Sequence, residues 1–158
     1  MTQMITIAPV RKSVVVKAPQ QKAFDVFTAG VDRWWPKTHG IGASPLLSVV
    51  IEPRRGGRWF GKYEDGSEIP NGHVLAWEPP ARVVFSWEIN SQWKPDSTIA
   101  SEVEIRFVAE GPSATRVELE HRKFEVLGQE GGQKMRGDVD GGWVRMLELF
   151  KAEAEGEV

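Results

Sequence analysis

The chain has 158 residues, 20 of them basic and 22 acidic, for a formal net charge of -2. That length suits one domain, and a domain of this size buries about 70% of its unfolded surface without needing a staple. The balanced charge excludes the basic stripe of a nucleic-acid binder and the polybasic patch of a membrane-surface protein, and the absence of cysteine excludes disulfides, zinc–thiolate centres, iron–sulfur clusters and cysteine nucleophiles.

The N-terminal MTQMITIAPVRKS has no basic segment followed by a useful apolar run, so no signal peptide is expected. No window approaches about eighteen consecutive apolar residues, so no membrane span is expected, and the default address is the cytoplasm. Val10 to Ala18 reads as a β-branched strand that ends at Pro19. The period then changes. Ala23, Phe24, Val26 and Phe27 form a helical stripe that Gly30 can stop, and Val31 to Trp35 gives a second short helical turn ended by Pro36. The stretch from Pro36 to Pro45 is a loop rich in breakers.

From Leu46 the period is two. LLSVVIE, RWFGKYE, HVLAWE, RVVFSWEI, ASEVEIRFVAE and TRVELEHRKF read as successive strands joined by short turns, with Asp65-Gly66 as a hairpin signal. Such strands pair antiparallel. Val103, Ile105 and Phe107 share one face and Glu102, Glu104 and Arg106 the other; Val117, Leu119 and His121 likewise oppose Arg116, Glu118, Glu120 and Arg122. The sheet therefore has one covered and one wet face. Val126 to Gly142 carries six glycines and reads as a mobile connector or lid. In the WVRMLELFKAEAE that follows, Trp143, Met146, Leu147 and Phe150 fall on one helical face that can cover the sheet.

These pieces, from VVVKAPQQKAFDVFTAGVDRWWP through EPRRGGRWFGKYEDG, GHVLAWEPPARVVFSWE, SEVEIRF and TRVELEHRKF to DGGWVRMLELFK, resemble the START-like, polyketide-cyclase-like superfamily. Within it the chain is most similar to the family named after the C-terminal domain of the activator of Hsp90 ATPase. The resemblance spans most of positions 10 to 151 and implies an α+β helix-grip fold. About seven antiparallel strands wrap a long C-terminal helix, two short helices follow the first strand, and an apolar cavity lies between sheet and helix. Members of the superfamily bind lipids, hormones or polyketides, a few catalyse cyclisation, and one branch stimulates a chaperone ATPase. The eukaryotic co-chaperone carries a preceding domain for which this chain has no room before its first strand, so the chaperone link weighs little.

No motif marks a catalytic machine. GxSxG, HExxH and the phosphate-loop pattern are absent, and the three histidines have no metal spacing. No metal, cofactor or catalytic residue is assigned. His121 faces the interior, where it can orient a ligand or move a proton, or simply be a satisfied core histidine. His73 shares strand parity with Leu75 and Trp77, and His39 lies in the glycine-rich loop. Strand and helix parity name a pocket lining of Trp35, Trp59, Tyr63, Phe85, Trp87, Phe107, Leu119, His121, Trp143, Met146 and Leu147. The seven tryptophans can line such a pocket or plug it. A pocket would measure several hundred Å3, as is usual for such sites. The leading expectation is a domain that binds a small apolar or aromatic molecule. The alternatives are a cyclase- or hydrolase-type enzyme using His121 or Tyr63, and a protein-interaction module to which an exposed Trp34 or Trp93 contributes. A homodimer through a sheet edge is an open option.

Overall fold

The computed structural model of the chain describes residues 6–156, so the first five residues of the stretch read as lacking a leader lie outside it. Strand β1 (Val10–Val16) is followed by helices α1 (Gln20–Phe27) and α2 (Val31–Trp34). Then come β2 (Leu46–Ile51), β3 (Arg58–Tyr63), β4 (Glu68–Glu78), β5 (Arg82–Trp87), β6 (Ser101–Ala109) and β7 (Thr115–Arg122). A 3-10 turn (Phe124–Leu127) leads into α3 (Gly128–Glu155). The strands form one antiparallel sheet in the order β1-β7-β6-β5-β4-β3-β2, so α1 and α2 carry the chain from one edge to the other.

The glycine-rich stretch before Trp143 is not a connector or lid: it is the first half of α3. Met135, Val139, Trp143, Met146, Leu147, Phe150 and Ala154 are all buried along one side of the 28-residue helix. Burial of that stripe outweighs the roughly 1 kcal/mol that each interior glycine costs relative to alanine. Gly132 is required by close approach, since a Cβ there would meet Ile7 Cδ1 and the Phe124 carbonyl oxygen at 2.5 Å.

Both sheet edges are covered by side chains that bond the free backbone. Along β1, Arg136 donates to the Ala8 carbonyl at 2.7 Å, Lys151 donates to the Val15 carbonyl at 3.0 Å, and Glu155 accepts from the Lys17 N–H at 2.7 Å. At β2, Asp32 accepts from the Val49 N–H at 2.9 Å. The wet face of the sheet carries a charge lattice. Glu104 accepts from Arg82, from Arg106 at 3.0 Å and from Arg122 at 2.6 Å. Burial would raise the Glu104 carboxyl, but the three guanidinium groups outweigh it and hold the group at about 2. Among the described residues no helix is long and apolar enough to cross a membrane.

β4 starts at Glu68, earlier than its alternation suggests, and carries two bulges, at Asn71 and at Leu75. The second breaks the expected shared face of His73, Leu75 and Trp77. His73 and Leu75 are exposed, with His73 Nδ1 2.9 Å from Glu88, whereas Trp77 packs edge-on against Phe24 at 5.1 Å. The first bulge presses β4 so close to β5 that a Cβ on Gly72 would lie 1.9 Å from the Ser86 carbonyl oxygen.

Candidate functional site

The interior between sheet and α3 is aromatic along its whole length, and its two ends differ. At one end Phe24, Phe27, Phe107 and Phe150 interlock edge-to-face at centroid separations of 5.2–5.8 Å. Trp34 completes this end. It is buried rather than exposed, because α2 tucks it against Phe150 at 5.6 Å and its indole N–H donates to the Val26 carbonyl at 2.9 Å.

The other end holds a cavity of about 180 Å3. Four indoles neighbour one another around it. Trp35 lies 5.5 Å from Trp59, Trp59 lies 5.8 Å from Trp87, Trp87 lies 5.8 Å from Trp143, and Trp143 lies 6.4 Å from Trp35. Each comes from a different element. Trp59 is on β3, Trp87 ends β5, Trp143 sits mid-way along α3, and Trp35 is the residue that stops α2. Met146 and Val139 add apolar wall, and Asn71 and Asp138 add polar groups. Trp93, half-buried, closes one side edge-on to Trp87 at 6.0 Å. Its N–H donates to Asp138 at 3.0 Å, and Lys134 donates to the same carboxylate oxygen at 2.9 Å.

Of the expected lining, Trp35, Trp59, Trp87, Trp143 and Met146 border the cavity. Phe85 stands behind Trp59 at 5.0 Å, and Tyr63 accepts the Ile41 N–H at 2.9 Å, tethering the loop after α2. Phe107, Leu119 and Leu147 are buried in the core away from it. The cavity is smaller than the several hundred Å3 expected because the indoles occupy much of the space they enclose. Asn71 and Asp138 are additions to the expected lining, Trp93 closes the cavity instead of standing exposed, and His39 of the glycine-rich loop also borders it. Asn71 is placed by a bulge that breaks strand parity, and Asp138 lies in the segment first read as a connector. Spacing held the signal for Asp138, which stands four residues before Gly142 and eight before Met146 on one face of a continuous helix.

His121 is fully buried behind this wall, 5.0 Å from Trp87 and 4.5 Å from Phe124. Its Nδ1 accepts the Trp143 indole N–H at 3.1 Å. That bond leaves the ring proton on Nε2, which donates to Ser101 Oγ at 2.9 Å. Burial pushes the imidazole down to about 3, so it stays neutral at physiological pH. With both nitrogens engaged, His121 works as a fixed bracket for the Trp143 ring rather than as a free acid or base.

One group in this wall is unmet. The Trp87 Nε1–H is buried and has no hydrogen-bond partner. A buried orphan donor costs about 1–3 kcal/mol. A second, more open groove of about 430 Å3 lies on the charged face among Arg11, Lys12, Glu104, Arg106, Glu118 and Glu120. Most of its charges are spent on ion pairs, including Arg11–Glu120, Lys12–Asp140 and Arg106–Glu104, so it offers no comparable unmet chemistry.

The model of the family described as Activator of Hsp90 ATPase homolog 1-like protein matches residues 17–155. No curated protein matches the chain. Among solved structures, an anthrahydroquino-gamma-pyrone synthase, Txn09, solved with a ligand, is 37% identical over 91% of this chain and 97% of that one, with a TM-score of 0.62. The self-sacrificing resistance protein CalC from Micromonospora echinospora is 34% identical over 92% of this chain and 93% of its own, with a TM-score of 0.69. The Aha1 dimer from Colwellia psychrerythraea, 14% identical over 94% of this chain and 97% of that one at a TM-score of 0.65, shares the fold. With its sheet gripping a long C-terminal helix and with these matches along nearly its whole length, the chain belongs to the Activator of Hsp90 ATPase homolog 1-like family of the START-like, polyketide-cyclase-like proteins.

Proposed function

We propose that this protein is a single-domain binder of a small, flat aromatic molecule, held in the cavity between the sheet and α3. One observation carries the reading. Four indoles from four separate elements surround one cavity of about 180 Å3 that has Asn71 and Asp138 at its margin. Apolar walls with a few placed polar groups are the usual makeup of a small-molecule site. The volume is below the roughly 300–1,000 Å3 of drug-sized sites, which limits the occupant to a small fused-ring system or to one end of a larger one. Support also comes from the 37%-identical neighbour, whose name denotes the synthesis of a fused aromatic pyrone. The cysteine-free composition suits the reducing cytoplasm as the place of action.

The test is titration of the protein, with its indole nitrogens labelled, with 1-naphthol, chromone and anthraquinone-2-sulfonate. Saturable shifts of the Trp35, Trp59, Trp87 and Trp143 indole signals are expected. The reading is overturned if no probe binds, or if binding leaves those four signals unmoved.

A further inference from the structure

The Trp87 donor says more about the occupant than the cavity does, and the step taken here rests on the binding reading above. Indole N–H groups of Trp34, Trp59, Trp93 and Trp143 each donate to an acceptor within 3.1 Å. Trp87, at 4% exposure, is buried like Trp34, Trp59 and Trp143 and more deeply than Trp93, yet its N–H has none. Its immediate neighbours are other rings: Trp59, Trp93, Trp143 and His121 at 5.0–6.0 Å. His121 cannot turn to help, because Nδ1 is held by Trp143 and Nε2 by Ser101. The protein spends a buried donor at the wall of its own cavity and supplies no acceptor for it.

We propose that the Trp87 Nε1–H is the specificity-determining donor of the cavity, and that the natural occupant is a flat aromatic ketone or pyrone whose carbonyl oxygen accepts from it. A carboxylate would satisfy the same donor, but burying its charge among indoles is costly without a cation. Lys134, beside the rim, is already bound to Asp138 and to the Ser91 carbonyl, and His39, which lines the cavity, is exposed with Nδ1 3.1 Å from Thr38 Oγ1. A hydroxyl would bring a second donor in need of its own acceptor. A neutral carbonyl meets the need and adds none. Trp93, packed edge-on against Trp87 and tied to Asp138, is the wall that the entering ring moves. Its backbone stands at φ 60, in the left-handed region, where a non-glycine residue is strained.

Chromone and 4H-chromene share one two-ring skeleton and differ by the carbonyl oxygen. Titrated into the labelled protein, chromone is expected to bind about tenfold more tightly, as a hydrogen bond to a buried donor implies. Chromone alone should shift the Trp87 indole proton downfield. Trp87→Phe should erase the preference while chromene binding persists; if that variant does not fold, the indole shift in the native protein decides. Equal affinity for the two probes, or a preference that survives Trp87→Phe, overturns the donor assignment and leaves the binding reading intact. If neither probe binds, the proposal fails, and the binding reading fails with it only when 1-naphthol and anthraquinone-2-sulfonate are silent as well.

Discussion

The two ends of the interior are built from the same kind of side chain and do different work. At the α1/α2 end, Phe24, Phe27, Phe107 and Phe150 are at most 1% exposed and mesh edge-to-face, and the buried polar groups of Trp34 and Thr28 are bonded to the Val26 and Phe24 carbonyls. At the other end four indoles meet at similar centroid distances, but the larger rings arch around a cavity instead of filling it, and one buried N–H, that of Trp87, is left unbonded. Aromatic content alone does not decide between core and site. Ring size, and whether every polar atom finds a partner, does.

The largest expected effect lies at the packed end. Phe150→Ala should cost about 3–5 kcal/mol in chemical denaturation, as for other buried aromatics. Trp35→Ala at the cavity end, where the ring is only partly buried, should cost about 1–2 kcal/mol and weaken aromatic ligands more than Phe150→Ala does. Similar costs for the two would erase the distinction between the ends.

Acid offers a second way to separate the two faces of the sheet. The folded His121 sits at about 3, below its ordinary 6.5, so the unfolded chain takes up the proton first. The stability that the neutral ring contributes is fully present above about pH 6.5 and is lost as pH falls toward 3. Near pH 4.5 the loss should reach about 3 kcal/mol. Glu104, held at about 2 against an ordinary 4.5, also contributes stability that falls away on acidification, but only below about pH 4.5. Denaturation curves across pH should therefore show two windows. His121→Phe should flatten the upper one, and Glu104→Gln the lower one. A single window removed by either variant would contradict this division.

Much of the fold was legible because the sequences of β6 and β7 alternate apolar with charged residues, although β5 is buried on both faces. Val103, Ile105 and Phe107 do face the interior, and His121 pairs in register with Val103 on one side and Val10 on the other. Glu104 was read as solvated, yet three arginines cover it to 6% exposure; alternation reports the face of a residue and not what its neighbours do. The site was half legible. Parity carried Trp59 and Trp87, and the helical stripe carried Trp143 and Met146. Asn71 was out of reach because a bulge adds a residue without any change in composition. The first half of α3 was missed because its glycines masked the four-residue spacing of Met135, Val139 and Trp143.

Gly142 borders the cavity, and a Cβ there would meet nothing within 4 Å. Gly142→Leu should fold normally and lower ligand affinity by about tenfold or more by occupying the space a ring needs, within what pocket size commands. Isothermal titration with chromone checks this, and undiminished affinity would move the entrance elsewhere.

The smallest effect tests the glycine-rich half of α3 itself. Gly137 and Gly141 are exposed, helical and free of neighbours within 4 Å of an added Cβ, and neither borders the cavity. Nothing in the fold uses their freedom, so Gly137→Ala and Gly141→Ala should each stabilise the protein by about 0.5–1 kcal/mol through helix propensity alone, with ligand affinity unchanged. Thermal denaturation with and without chromone separates the two readouts. A gain in stability at Gly137 and Gly141 without loss of binding would mean that the helix gains by being stiffer and that its glycines matter only where they face the cavity or, like Gly132, pack against a neighbour. A loss of binding from these distant alanines would mean instead that α3 must bend for a ligand to enter, and the cavity end would then owe its character to the helix as much as to its indoles.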